Sequence, residues 1–209
     1  MEAVSVKVGF FHARQDSRCA ELMVASVRRH MQGAEIVQWT DEGTPAVAGV
    51  DRCERKAWDG QLPMHHKMMR LAEADGDVLA LDTDVIVNAD LRPVFNFRFD
   101  VALTWRDGPI YDPNGNDLTK MMPFNCGVMW SRSPEYWATC LRWCEINDLA
   151  DWYADQLAVA NVRGFDVLKL HCDNFNYTPL SPDEDVSRRL AIHYKGKRKS
   201  WMIDKWGKA

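Results

Sequence analysis

The stretch DVLALDTDVIV, residues 77–87, places two carboxylates inside an aliphatic run. VLAL (78–81) predicts a short strand that is apolar on both faces, as in a parallel sheet covered by helices on both sides. Asp82 and Asp84 follow it one residue apart, and on an extended chain such side chains point to the same side. Two carboxylates that point together repel each other, and their burial is costly unless a cation neutralises them.

The acidic pair suits a divalent cation. All-oxygen ligands favour Mg²⁺ or Mn²⁺, ions that commonly also bind the diphosphate of a substrate. The alternative is structural: the two aspartates only cap a following turn. The spacing alone is weak evidence, because Asp75-Gly76-Asp77 and Asp183-Glu184-Asp185 share it. Those triplets lie in polar, turn-like surroundings, whereas Asp82 and Asp84 follow a buried strand, and this context favours a metal site.

The composition is that of an ordinary globular protein. The chain has 209 residues, 46% hydrophobic and 27% charged, with a formal net charge of −4. The length suits one domain, and the acidic balance argues against a general role on nucleic acids or membrane surfaces. The six cysteines form no CxxC pair, and neither a secretory signal nor an apolar run of membrane-spanning length is present. These features predict a reduced, cytoplasmic protein without a transmembrane segment.

Predicted strands and helices alternate along the chain. Strands are predicted at 4–11, 35–39, 78–81, 85–87, 100–105, 126–130 and 166–170. Helices are predicted from Ala20 to Met31, over about 64–74, after Ser133-Pro134, and over about 150–161. The alternation predicts an α/β fold with a mostly parallel central sheet flanked by helices, in which ligands bind at the carboxyl ends of strands. The Gly-, Pro- and Asn-rich segment 106–123 is a candidate active-site loop.

Several segments resemble glycosyltransferase family 8, the GT-A-fold family of glycogenin and of bacterial lipopolysaccharide galactosyltransferases. Besides Leu-Asp-Thr-Asp (81–84), they are SVRRH (26–30), FNCGVMW (124–130), ADQLAVANV (154–162), NFNY (174–177) and HYKGKRKSW (193–201). In the last segment His, Gly, Lys and Trp fall at the spacing of the family's His-x-x-Gly-x-x-Lys-Pro-Trp ending. The chain departs from the family at Cys126, where Ser is usual, and at Ser200, where Pro is usual. It is also short for the family, so the resemblance does not identify the acceptor site.

The resemblance implies a GT-A (nucleotide-diphospho-sugar transferase) fold, with residues 1–209 as a single domain. It implies a metal-dependent, retaining hexosyltransferase whose donor is a nucleotide-sugar, expected to be a UDP-sugar. The implied ligands of Mn²⁺ or Mg²⁺ are Asp82, Asp84 and His193.

The resemblance also implies contacts to the rest of the donor. Those to its diphosphate and sugar are Lys67, Asn125, Gly196 and Lys199. Those to the nucleotide base lie around His12 and Asp16. The implied catalytic residues, close to the anomeric carbon, are Asp155 and Gln156.

Two other interpretations fit parts of the sequence. A sugar nucleotidyltransferase shares such a sheet, but it usually has a Gly-rich loop after the first strand, and HARQDS (12–17) contains no glycine. A degenerate nucleotide-sugar-binding module without activity agrees with the short chain but not with an intact set of Asp82, Asp84, His193 and Lys199. The acceptor, whether a glycan, a lipid-linked sugar or a protein, is not indicated.

Overall fold

The computed structural model describes residues 6–58, 60, 62–106, 108–111, 115–149 and 153–207. The strands are β1 (Lys7–Phe11), β2 (Glu35–Thr40), β3 (Arg52–Arg55), β4 (Val78–Leu81), β5 (Val85–Val87), β6 (Val101–Trp105), β7 (Phe124–Ser131), β8 (Val167–His171) and β9 (Ala191–His193). The helices are α1 (Arg18–His30), α2 (Pro63–Glu73), α3 (Pro134–Ile146), α4 (Ala154–Asn161), α5 (Cys172–Phe175) and α6 (Lys199–Trp206). Short 3₁₀ turns cover Arg92–Asn96 and Gly196–Arg198.

Seven strands form one twisted layer in the order β3-β2-β1-β4-β7-β6-β8. Four of the six neighbouring pairs are parallel, and only β7 runs antiparallel to its neighbours β4 and β6. One face packs against α1 and α6, and the other packs against α2, α3 and α4. Every residue of β4 is buried, as expected for a strand covered on both faces. The predicted α/β fold with a mostly parallel central sheet is confirmed.

The chain turns immediately after β4. Thr83 and Asp84 form a tight turn, in which the Val85 N–H donates to the Asp82 carbonyl at 3.2 Å. β5 is extended as predicted, but it leaves the main sheet and pairs antiparallel with β9, with Val85 opposite His193. The two carboxylates therefore meet through a turn and not through the i, i+2 alternation of a strand. The small β5-β9 sheet brings the last predicted ligand to the acidic pair.

Local signals located most elements within a few residues. Ser133 caps α3, because its side chain accepts the Tyr136 N–H at 3.2 Å, and Pro134 is the first helical residue. Residues 4–5 of the first predicted strand and residues 150–152 of the fourth predicted helix lie outside the described residues. β3, β9 and α6 were not predicted from the sequence. β3 reads RCER and is partly exposed, so it lacks the apolar alternation that marks a half-buried strand.

None of the helices in the described part of the chain has both the length and the apolar character needed to cross a membrane.

Candidate functional site

Asp82, Asp84 and His193 form a compact cluster at the carboxyl end of β4. One ligand atom from each residue lies within 4.8 Å of the other two, and no other such group of three occurs among the described residues. His193 Nε2 is 3.1 Å from Asp84 Oδ1 and 3.6 Å from Asp82 Oδ2. Asp84 and His193 are buried, whereas Asp82 is partly exposed. Two carboxylates and one imidazole are a donor set that suits a divalent transition-metal ion.

Contacts with neighbouring side chains keep Asp84 ionised. Burial by itself raises the pKa of the Asp84 carboxyl, but His193 and then Lys199 outweigh it and hold that pKa well below its ordinary value. Lys199, at the start of α6, places Nζ 3.4 Å from Asp84 Oδ2. The cluster therefore presents a carboxylate and not a carboxylic acid, which a metal ligand requires.

A chain of hydrogen bonds orients the His193 ring. The Asn125 carbonyl can only accept, and it receives the Thr104 hydroxyl at 2.7 Å and the Asn176 side-chain NH₂ at 3.3 Å. The same NH₂ donates to Thr104 Oγ1 at 2.7 Å, so the remaining oxygen of the Asn176 amide faces His193 Nδ1, 2.9 Å away. Nδ1–H is therefore the donor, and Nε2 is directed at the carboxylates of Asp84 and Asp82. Such a partner on the far ring nitrogen is usual for a metal-binding histidine.

Gly127 makes room for this ring. A Cβ at Gly127 would lie 2.3 Å from both Cε1 and Nδ1 of His193, which no real side chain tolerates. Its N–H donates to Asn125 Oδ1 at 2.9 Å, and its carbonyl accepts the Asp82 N–H at 2.8 Å. The Phe-Asn-Cys-Gly segment of β7 thus forms the support on which the cluster rests, and Asn125 lines the cavity above it.

Lys67 is a buried cation of α2 that holds Asp82 in place. It is 1% exposed, and its Nζ donates to Asp82 Oδ1 at 2.8 Å and to the Cys126 carbonyl at 2.9 Å. Burial alone lowers the pKa of the Lys67 ammonium, but Asp82 and Asp155 outweigh burial and raise it above its ordinary value. In the structure Lys67 orders a carboxylate of the cluster; its contact with a donor stays a prediction.

We expect Lys67→Met to lower the free energy of unfolding by about 3 kcal/mol, because it removes one partner of a buried ion pair and leaves the other partly desolvated. Urea unfolding measures the loss. The matched control is Lys56→Met, which breaks the more exposed ion pair with Glu73 and should cost less than about 1 kcal/mol. Equal losses in the two variants would show that the Lys67 pair is energetically no different from a surface pair.

A cavity of about 420 Å³ opens beside the cluster. Asp155 and Gln156, at the start of α4, line it opposite Asp82 and Asp84. Burial raises the pKa of the Asp155 carboxyl, with Lys67 opposing that rise. Asp155 Oδ1 accepts the Gln156 backbone N–H at 2.8 Å. The structure thus brings both predicted catalytic residues to the same cavity as the predicted metal ligands.

Gly196 begins the 3₁₀ turn Gly196–Arg198 that follows β9, and Lys199 begins α6 directly after it. Gly196 has φ +65°, a conformation that favours glycine, while a Cβ there would meet no atom within 4 Å. The conformation of the backbone, and not crowding, accounts for this glycine. Lys199 keeps a side chain that is 44% exposed, so its ammonium can reach a ligand above the cluster.

Lys195 immediately precedes this 3₁₀ turn and was not predicted as a site residue. It lines the cavity together with Arg106, which follows β6. Burial, and then the nearby charge of Arg106, lower the pKa of the Lys195 ammonium to about 8. Arg106 donates from Nη2 to Gln156 Oε1 at 2.6 Å and from Nη1 to the Met122 carbonyl at 2.8 Å. It therefore fixes the orientation of the Gln156 side chain.

The predicted base-binding segment after β1 borders a second cavity of about 490 Å³. His12 is buried at the end of β1, and burial lowers the pKa of its imidazole. Asp16 is exposed and accepts from Arg18. Neither lines the cavity, whose wall in this segment consists of Arg14 and Gln15. A role for His12 and Asp16 in base binding stays a prediction.

Solved glycosyltransferases share this architecture, although no family model and no curated protein matches the sequence. The galactosyltransferase LgtC, crystallised with donor and acceptor sugar analogues, aligns with a TM-score of 0.64 and 15% identity over 97% of this chain and 94% of its own. A glycosyltransferase involved in glycosylation of the major capsid of PBCV-1 aligns with a TM-score of 0.65 and 13% identity, over 96% and 98%. GlyE of Streptococcus pneumoniae aligns with a TM-score of 0.64 and 16% identity, over 99% of this chain but only 64% of GlyE.

The chain has the GT-A glycosyltransferase fold. The resemblance suggested by the sequence is thereby confirmed at the level of architecture. At these identities the likeness establishes the fold alone, and the activity rests on the residues of the site.

In this GT-A fold, sequence patterns missed three polar residues that support the site. Asn176 orients His193, Arg106 orients Gln156, and Thr104 completes the hydrogen bonds to Asn125. Asn176 falls within NFNY (174–177), a segment that the resemblance singled out without assigning it a role. Nothing in the local pattern around Arg106 or Thr104 marks them, because their importance comes from contacts with residues at least 16 positions away.

Proposed function

We propose that this protein is a metal-dependent, retaining glycosyltransferase that moves a sugar from a UDP-sugar to an acceptor. The observation that carries the proposal is the convergence of Asp82, Asp84 and His193 within 4.8 Å beside a cavity that Asp155 and Gln156 also line. The likeness of the fold to glycosyltransferases supports transfer from a nucleotide-sugar in general. We propose uridine as the nucleoside of the donor because the sequence resembles glycosyltransferase family 8.

The residues of the cluster fit Mn²⁺ or Mg²⁺. Asp82, Asp84 and His193 would hold the ion, and the Nδ1–H bond to Asn176 leaves His193 Nε2 available to it. When bound, the ion supplies positive charge that stabilises the leaving diphosphate. We propose that the Lys199 ammonium and the backbone around Gly196 bind the same diphosphate, because Lys199 already lies 3.4 Å from Asp84 and is partly exposed.

The transferred sugar would occupy the cavity between Asn125 and α4. We propose that the Gln156 side chain, held by Arg106, lies beneath the anomeric carbon and stabilises positive charge there. The Asp155 carboxylate accepts the backbone N–H of Gln156 and thereby positions Gln156. Asp155 is buried among protein groups, so we do not assign it as a nucleophile. The departing phosphate oxygen would then take the proton of the acceptor hydroxyl on the same face, which retains the anomeric configuration.

We also propose that residues 1–209 act as one GT-A-like domain and that the protein works in the cytoplasm. The central sheet uses strands from β1 to β8, so both ends of the chain contribute to one core. All six cysteines are free in the structure, which agrees with a reducing compartment.

Calorimetric titration of UDP tests the proposal. We expect UDP to bind at least about tenfold more tightly with Mn²⁺ than with chelator, a difference of about 1.4 kcal/mol or more. GDP and ADP serve as controls for the base. A panel of UDP-sugars then identifies the donor through slow hydrolysis to UDP.

Other outcomes would select the alternatives. Absence of nucleotide binding, with metal or without it, would favour a degenerate module. Formation of a UDP-sugar and pyrophosphate from UTP and a sugar 1-phosphate would favour a nucleotidyltransferase. UDP binding that is equally tight with and without metal would contradict the proposal that Asp82, Asp84 and His193 hold a metal ion for the donor diphosphate.

A further inference from the structure

A groove of about 480 Å³ adjoins the cavity beside the cluster of Asp82, Asp84 and His193. The two spaces share Arg106, Ile110, Asn125 and Lys195 in their walls. Both shared cations therefore lie at the boundary between the proposed donor cavity and the adjoining groove. A substrate in the groove would reach the transferred sugar past these two side chains.

Neither shared cation has a carboxylate partner among the described residues. Lys195 Nζ makes no hydrogen bond or ion pair there, although the side chain is half-buried. Arg106 directs its two Nη groups at neutral oxygens of Gln156 and Met122, and its buried Nε has no partner. Asp84 acts on Lys195 and Asp155 acts on Arg106 only from a distance, without an ion pair. Two neighbouring, partly desolvated cations that lack a directly paired carboxylate are costly to the folded chain. An anion bound between them would offset that cost.

The groove itself is cationic. Arg189 also lines it, packing over the Tyr177 ring at 4.1 Å and donating to the Asp173 carbonyl oxygen. Its described lining contains three cations, Arg106, Arg189 and Lys195, against one carboxylate, Asp173, a formal balance of 3 − 1 = +2. The whole chain carries −4, so this local charge is not an average property of the surface.

The diphosphate of a donor does not account for these cations. Its proposed partners are the metal cluster, Gly196 and Lys199, and Lys199 is the lysine paired with Asp84. Arg189 lines the groove and not the cavity of the cluster. The surplus positive charge thus extends away from the donor and along the path of the second substrate.

We propose that the groove binds the acceptor, and that the acceptor carries a carboxylate or phosphate that Lys195 and Arg106 hold near the hydroxyl receiving the sugar. This inference rests on the proposed transferase function. It assigns a chemical class to the acceptor: an acidic or phosphorylated sugar, with the anionic group close to the reacting position.

Ligand-observed NMR titrations test this with glucuronic acid, glucose 6-phosphate and glucose as probes, in the presence of saturating UDP and Mg²⁺. We expect both anionic probes to bind the wild-type protein at least about tenfold more tightly than glucose, since each adds a charge-assisted hydrogen bond. Lys195→Met should remove that preference, and Lys195→Arg should restore most of it. Lys197→Met is the matched control, because Lys197 is exposed two residues away and lines neither space.

The outcomes separate this inference from the proposed function. No preference for the anionic probes, or an equal loss in Lys197→Met, would overturn the inference. A loss of UDP affinity in Lys195→Met as large as the loss for glucuronic acid would also overturn it, because Lys195 would then serve the donor. If UDP itself does not bind, the proposed function fails, and the same titrations without UDP decide whether Lys195 forms an anion site.

Discussion

Asp84→Ala is expected to abolish metal-dependent binding of UDP and to lower turnover of a UDP-sugar by roughly 10²- to 10³-fold. A bound metal contributes several kcal/mol to stabilising charge on the leaving group, and about 1.36 kcal/mol corresponds to a factor of ten in rate. Asp84 is the buried member of the carboxylate pair, and it lies 3.1 Å from His193 Nε2 and 3.4 Å from Lys199 Nζ. Its removal leaves the cluster with one carboxylate and a surplus of positive charge. Calorimetry with UDP and Mn²⁺, followed by UDP release from the donor, measures both effects.

The matched control for Asp84→Ala is Asp183→Ala. Asp183 belongs to another Asp-x-Asp triplet and is exposed, so its loss should leave UDP binding and turnover unchanged. Thermal unfolding of both variants checks that the folds are intact. If Asp84→Ala bound UDP in a metal-dependent way with wild-type affinity, the aspartate pair would be a turn-capping feature, and the metal site proposed for it would be wrong.

Gly127→Ala is expected to have an effect of similar size, although it removes no polar atom. The new methyl group would lie 2.3 Å from His193 Cε1 and Nδ1 and 3.2 Å from Asn125 Oδ1. The ring is expected to move away, because the buried backbone at Gly127 is anchored by its N–H bond to Asn125 Oδ1 and by its carbonyl, which accepts the Asp82 N–H. The movement breaks the Nδ1–H bond to Asn176 and withdraws Nε2 from the carboxylates. We expect metal-dependent UDP binding to fall below detection, with a loss of about 1–3 kcal/mol in stability from overpacking.

Gly9→Ala separates the two effects of Gly127→Ala. A Cβ at Gly9, on the buried strand β1, would lie 2.3 Å from the Trp39 ring, and its three nearest atoms would all belong to Trp39. We expect it to destabilise the protein as Gly127→Ala does, yet to retain metal-dependent UDP binding at temperatures where it is folded. Urea unfolding and calorimetry on the same samples make the comparison. Equal loss of UDP binding in both variants would attribute the effect to general destabilisation and not to His193.

The sequence indicated the acidic half of the site and only part of the rest. The apolar strand before Asp82 and Asp84 distinguished this pair from the two other acidic triplets, because burial makes unpaired charge costly. His193 and Lys199 could be named only through their spacing within HYKGKRKSW and its resemblance to a family motif. Nothing local indicated that β9 pairs with β5 and places His193 beside residues more than a hundred positions earlier.

Other parts of the site have no pattern that a sequence could display. Asn176 orients His193, and Lys67 of α2 holds Asp82, a contact that differs from the donor contact implied by the resemblance. Arg106 and Lys195 come together at one cavity although 89 positions separate them in the sequence. Each of these residues is an ordinary polar residue in its own segment. Its role arises from which partner the fold brings within hydrogen-bond distance.

By itself, the sequence determined the alternation of strands and helices, the Ser133 cap and the placement of a carboxylate pair after a buried strand. These features depend on residues within a few positions of one another, so periodicity and capping preferences are enough to indicate them. The tertiary structure alone decided the pairing of β5 with β9, the orientation of His193 and the cationic groove. Those features depend on contacts between segments far apart in the chain, where the burial of apolar surface selects which segments meet and the polar groups then pair with whatever lies opposite.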